Sequence, residues 1–179
     1  MKIHIMGASC AGSTTLGMAM ARQLSYPYFD TDKYFWQPSE IPFTSRYSFE
    51  DRNKMLKDDL LLSNNWILGG SIINWGDEWL TAFDCVVFLY LPQPIRMERL
   101  KARELDRYGN IIFTDATRNR LYKEFVEWAT GYDDNTTNGR NLQAHQNWLN
   151  KLNCPVIEIT SDTTVQQRLD VILNNLQRK

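Results

Sequence analysis

The chain has 179 residues, 43% hydrophobic and 23% charged, and its 20 Lys and Arg against 21 Asp and Glu give a formal net charge of −1 at pH 7. That length suits one domain with a full core, and the composition excludes a disordered chain and a membrane protein. The near-neutral balance argues against nucleic-acid binding through a basic face, while leaving room for a local positive pocket.

In chain order, residues 2–6 (KIHIM) alternate Ile3 and Ile5 and stop at Gly7, which reads as a strand and not a signal peptide. A glycine-rich turn and the helically spaced TLGMAMARQL follow, so the chain opens as an α/β domain. Residues 26–30 read as a short strand, 33–49 as loop with a helical turn, and 48–63 as a helix. A strand at 66–68 ends in Gly69-Gly70-Ser71, and a short helix is expected over 72–82. The near-continuous apolar run 84–91 suits the centre of a parallel sheet, and Pro92 stops it before a helix over 93–107. Residues 109–139, with Gly109, Gly131, Gly139 and a DDNTTN run, are the least regular part. A helix over 140–151, a strand over 155–160 and a helix over 163–177 close the pattern. No apolar run approaches the ~20 residues of a membrane helix.

The odd count of cysteines (Cys10, Cys85, Cys154), with no Cys-x-x-Cys pair, points to a reduced, cytoplasmic protein without a disulfide framework. His4 and His145 are too few and too far apart for a zinc site.

The strongest signal is Gly7-Ala8-Ser9-Cys10-Ala11-Gly12-Ser13-Thr14, which matches G-x-x-x-x-G-x-[ST] between a strand and a helix. Small residues let successive N–H groups converge on a phosphate, and the helix N-terminus adds partial positive charge. Thr14 occupies the place of the hydroxyl that ligates Mg²⁺, but Ser13 stands where the pattern has lysine. Residues Gly7, Ala8, Ser9, Cys10, Ala11, Gly12, Ser13, Thr14 and Thr15 are therefore the candidates to hold a nucleotide.

Four blocks, GASCAGSTT, PYFDTDKYFW, WILGGS and FDCVVFLYLPQPIRMERLKARE, resemble the adenylate-kinase-like P-loop kinases, nearest to a bacterial group of adenylate-kinase-related proteins sometimes called topology modulation proteins. The resemblance runs over essentially the whole chain, 1–179, as a single domain, and departs from the wider family at the loop lysine. It implies a P-loop NTPase fold of class α/β, with a five-stranded parallel sheet in the order 2-3-1-4-5. It also implies an acceptor-binding segment (33–64) and a lid (109–139).

Asp30 and Asp32 end the second strand, where a parallel sheet presents residues to the ligand crevice. By resemblance Asp32 contacts the acceptor hydroxyl or Mg²⁺, so Thr14 and Asp32 are the expected metal ligands. The alternative is that Asp32 only caps a helix near Lys33. Lys33 is a candidate stand-in for the absent lysine, or a solvated surface lysine. Asp30, Asp32, Gly69, Gly70 and Ser71 are candidate acceptor contacts, with Trp36, Trp66 and Trp75 as possible walls. Arg96, Arg99, Arg103 and Arg107 follow a 3-4-4 spacing on one helix face. Resemblance assigns Arg103 and Arg107, with Arg118 beyond, to clamping transferred phosphate; interleaved Glu98 and Glu104 allow a salt-bridged surface instead.

The expected activity is ATP- and Mg²⁺-dependent phosphoryl transfer to a small acceptor, a nucleotide or small hydroxylated metabolite. Ser13 motivates the alternative of a nucleotide-binding regulatory module with weak or no ATPase or kinase activity. A nucleotide and a small-molecule acceptor are the expected partners, with no membrane and no nucleic acid, in a monomer or weak homodimer.

Overall fold

The computed structural model describes residues 1–177. Five strands, β1 (Lys2–Gly7), β2 (Tyr28–Asp30), β3 (Trp66–Gly69), β4 (Cys85–Leu89) and β5 (Val156–Ile159), form one sheet in the order β2-β3-β1-β4-β5. Every pairing is parallel, and β1 lies at the centre between β3 and β4. The α/β class and the sheet order are those expected from the sequence.

Alternation along the central strands sorts two cores. Ile3 and Ile5 of β1 pack with Val87 and Leu89 of β4 against Leu16 and Met20 of α1 (Ser13–Leu24) and Ile172 of α8 (Val165–Gln177). The opposite face carries Met6, Val86 and Phe88 against Trp66, Trp79, Phe83 and Trp148. Ile5 and Leu16 are both fully buried, and truncating either to Ala would cost about 2–5 kcal/mol. His4 lies within the second core, stacked on Phe83 at 4.8 Å, with Nδ1 3.0 Å from the Leu68 carbonyl oxygen. Burial lowers its pKa to about 4, so the ring is neutral and Nδ1–H donates.

Three segments differ from the sequence expectation. The helical turn in 33–49 begins earlier, as α2 (Thr31–Phe35), because Asp30 Oδ1 accepts the Asp32 N–H at 3.0 Å and starts it. Over 72–82 there is only a 3₁₀ turn, Asp77–Thr81, starting after Gly76 at φ 118°. The 109–139 segment is mostly helical, with α5 (Ile111–Thr114) and α6 (Ala116–Thr130). Asp115 caps α6 by accepting the Arg118 N–H at 2.7 Å, and Leu121, Phe125, Trp128 and Ala129 recur at helical spacing. The glycines that suggested irregularity sit at the boundaries. Helices α3 (Phe49–Leu60), α4 (Gln93–Tyr108) and α7 (Leu142–Leu149) complete the chain. Among the described residues no helix is long and apolar enough to cross a membrane.

Candidate functional site

β1 delivers the loop to the carboxyl end of the sheet, between its neighbours β3 and β4. Gly7 pairs with Leu89, and a Cβ there would run into the Leu89 carbonyl oxygen, so the strand can end this close to β4 only with glycine. Cys10 at φ 65° and Gly12 at φ 100° put left-handed residues into the loop, the backbone pattern of an anion-binding nest. No side chain caps α1, so its first N–H groups remain open for an anion. The loop is braced from behind by Arg168 of α8, whose Nη1 donates to the Ala11 carbonyl oxygen at 2.9 Å.

Directly against the loop, the Thr14 hydroxyl donates to Asp30 Oδ2 at 3.0 Å, and the Tyr28 hydroxyl donates to the same oxygen at 3.0 Å. The carboxylate beside Thr14 is therefore Asp30 and not Asp32, and Asp30 also takes the helix-capping role considered for Asp32. Thr14 and Asp30 together offer two hard oxygens that fit Mg²⁺ completing its shell with water and phosphate oxygens.

Asp32 is left free for other work. Among the described residues its carboxylate accepts no hydrogen bond, and solvent reaches it. The surrounding protein, then the charge of Asp30, hold its pKa above the usual carboxylate value, opposed by Arg140, Arg103 and Arg107. Asp32, Arg103 and Arg107 thus share one electrostatic neighbourhood with the loop, where the same two arginines also act on Cys10. Arg103 and Arg107 both approach Glu104, at 3.4 and 3.9 Å, and Arg107 lies over the Phe43 ring at 5.2 Å.

The other expected residues are placed as follows. Lys33 lies over the Tyr34 ring at 5.7 Å, and among the described residues no hydrogen bond or ion pair joins it to the loop. Arg118 is stacked 4.1 Å over Tyr108. Of the remaining face of α4, Arg96 is buried, pairs with Asp133 and donates from Nε to the Leu91 carbonyl oxygen at 3.0 Å, while Arg99 pairs with Asp162 at 2.6 Å. The face is thus divided between an inward structural arginine and outward ones. Trp66 and Trp75 are core residues, 3% and 2% exposed; Trp36 stays half-buried beside Phe35, Phe43 and Arg46.

Gly69, Gly70 and Ser71 form the turn after β3, with Gly70 donating its N–H to the Ile5 carbonyl oxygen at 3.0 Å. Ser71 Oγ is 3.1 Å from His145 Nε2, and His145 Nδ1 is 2.6 Å from the Tyr132 hydroxyl, giving a buried chain of three side chains. Burial lowers the His145 pKa to about 3, with the charge of Arg140 adding to it, so the imidazole is neutral.

Arg140 is the residue without a motif. Its Nη2 donates to Ser9 Oγ at 2.8 Å, and its guanidinium lies 4.9 Å over the Trp128 ring. Only its position beside a predicted helix start could have marked it.

Sheet order, loop and helix start define the class: this is the P-loop kinase fold. A crystal structure of shikimate kinase from Bacteroides thetaiotaomicron matches with a TM-score of 0.57 at 18% identity, covering 98% of each chain. Deoxyadenosine kinase from M. mycoides with bound dATP matches with a TM-score of 0.59 at 16% identity, covering 99% of this chain and 100% of that one. No family model matches the chain. In sequence it is 41% identical over 174 residues to the uncharacterized protein YqaC of Bacillus subtilis (strain 168), covering 97% of this chain and 96% of YqaC. The chain belongs to the family of YqaC. A shorter match, 46% identical over 112 residues, joins it to shikimate kinase 2 of Syntrophotalea carbinolica, over 56% of this chain and 63% of that protein.

Proposed function

We propose that this protein transfers the γ-phosphoryl group of ATP, in the presence of Mg²⁺, to a nucleotide or a small hydroxylated metabolite. The observation that carries the reading is the Thr14–Asp30 pair at the mouth of an uncapped loop, with Asp32 open two residues away. Backbone N–H groups of residues 8–14 hold the β-phosphate, apart from that of Ala11, which donates to the Ala8 carbonyl oxygen at 3.1 Å. Mg²⁺ at Thr14 and Asp30 would neutralise charge on the β- and γ-oxygens.

For a hydroxyl acceptor, the acceptor oxygen bonds to the γ-phosphorus while the bond from that phosphorus to the β–γ bridging oxygen breaks. The hydroxyl proton passes to Asp32, and ADP leaves. Asp32, whose carboxylate accepts no hydrogen bond among the described residues, orients the attacking oxygen and takes that proton. Arg103 and Arg107 meet the charge on the transferring group. Residues 33–64 form the acceptor side, while α5 and α6 within 109–139 close over the site and exclude water. The protein acts in the cytoplasm as a monomer or weak homodimer, the setting that an odd count of cysteines with no Cys-x-x-Cys pair suits.

Ser13 favours a second reading, a module that binds nucleotide and turns it over slowly or not at all. A screen for ADP release, with ATP and Mg²⁺, against nucleoside monophosphates, nucleosides and small hydroxy acids separates the two. Transfer predicts that one acceptor class raises ADP release at least ~10-fold over the acceptor-free rate. Tight nucleotide binding with no stimulation by any class supports the module.

A further inference from the structure

The loop holds a serine at the position of its usual cation, so the charge of a bound triphosphate has to be met from elsewhere. Lys33 lies over Tyr34, and Arg103 and Arg107 share Glu104. Arg96 is committed to Asp133, while Arg99 and Arg168 share Asp162. Arg140 differs from all of these. It is partly buried, touches the loop at Ser9, and among the described residues makes no ion pair. The charge of Asp32 acts on this guanidinium, but no carboxylate stands at contact distance, so its fork is left to take a phosphate in the loop.

The mounting of Arg140 is as telling as its position. It follows Gly139 (φ 84°) and precedes Asn141, whose Oδ1 caps α7 by accepting the Ala144 N–H at 2.8 Å. One turn into α7, His145 is fastened on both ring nitrogens, to Ser71 in the turn after β3 and to Tyr132 after α6. A neutral imidazole donates from one nitrogen and accepts at the other, so both bonds form together only with the ring in a fixed tautomer and orientation. α7 is thereby clamped to the sheet end. Trp128 backs the guanidinium, its ring centroid 4.9 Å away.

We propose that Arg140 is the cation that replaces the missing loop lysine. On nucleotide binding its fork exchanges the Ser9 hydroxyl for β- and γ-phosphate oxygens, reaching the loop from the residues that lead into α7 rather than from α1. This inference rests on the loop holding a nucleoside triphosphate, as proposed above.

The test is a calorimetric titration with Mg·AMPPNP and, separately, with AMP. It compares wild type, Arg140→Ala, Arg140→Met (which keeps the stem over Trp128), Ser13→Lys and the double variant Ser13→Lys/Arg140→Met. Circular dichroism melts report folding. Losing a charge-assisted bidentate contact should weaken Mg·AMPPNP by roughly 10–100-fold in both Arg140 variants and leave AMP within about threefold. The double variant should regain at least ~10-fold, and Ser13→Lys alone should gain less than about threefold because the site already holds a cation. Unchanged triphosphate affinity in folded Arg140→Met, or a tenfold gain from Ser13→Lys alone, overturns the inference. So does a wild type that binds no Mg·AMPPNP, which also removes the reading beneath it. A wild type that binds with the predicted variant pattern, yet transfers phosphate to no acceptor, supports Arg140 while defeating the transfer reading.

Discussion

The phosphate loop and the segment from Tyr132 to Leu149 meet at the Ser9–Arg140 hydrogen bond, and they are built in opposite ways. The loop works with its backbone. It needs small residues at fixed spacing, a left-handed glycine and an uncapped helix, and all of these are local. The Tyr132–Leu149 segment works with side chains. Arg140, His145 and Tyr132 find their partners at Ser9 and Ser71 or in each other, through contacts that span 13 to 131 residues. The comparison teaches, on the proposal for Arg140, that an anion site can keep its backbone half while the cation lost at Ser13 is supplied from a part of the chain with no pattern at all.

The largest expected effect sharpens the comparison from the acceptor side. Asp32→Asn should lower kcat/KM on the true acceptor by about 10²–10⁴-fold, measured by the coupled assay, while nucleotide affinity holds. Its melting temperature should stay level or rise, because the folded protein holds this carboxylate charged against the surrounding protein and the charge of Asp30.

The next tests whether the side-chain half is as tightly mounted as the structure shows. His4 and His145 are held neutral, with pKa values of about 4 and about 3 against 6.5 unfolded. Both depressed values mean that the unfolded chain binds more protons below pH 6.5. Stability is therefore full above pH ~6.5 and falls as pH drops toward 4, by on the order of 3 kcal/mol for each ring over the window. Urea unfolding at pH 7.5, 6 and 5 should show the decline, and His145→Gln should flatten part of it; a flat profile in wild type would break the account of the clamp.

On the backbone half, Gly12→Ala should destabilise by about 1–3 kcal/mol, because φ 100° strains an L-residue and its Cβ would lie 3.2 Å from Arg168 Nη1. Thermal melting with and without Mg·AMPPNP would show both the loss and a weakened ligand shift. The smallest effect expected is at Lys33: Lys33→Ala should change kcat/KM by less than about twofold, since its ammonium sits over Tyr34 and among the described residues makes no hydrogen bond or ion pair to the loop.

The same division explains what the sequence made legible. The strand–loop–helix from Lys2 to Leu24 was readable because every constraint in it is short-range, and the apolar run before Pro92 announced a strand buried on both faces. Asp30 and Asp32 were both visible at the end of β2. Which of them faces Thr14 was not, because that depends on Asp30 ending the strand and capping α2 at once. α6 was hidden by the glycines at its borders, although Leu121, Phe125 and Ala129 carry the helical period. Arg140 and His145 offered only an arginine in a polar stretch and a lone histidine. Their roles arise from tertiary contacts that no spacing rule encodes.

The central claim is that the loop holds a triphosphate whose metal sits between Thr14 and Asp30. The direct measurement is the affinity of wild type and Asp30→Asn for AMPPNP, with and without Mg²⁺, since the amide keeps an oxygen to cap α2 while removing the charge that attracts the metal. The account predicts binding at least ~10-fold tighter with Mg²⁺ in wild type, and loss of most of that gain in Asp30→Asn. Equal affinity with and without Mg²⁺ in wild type, or an undiminished Mg²⁺ gain in Asp30→Asn, would contradict it.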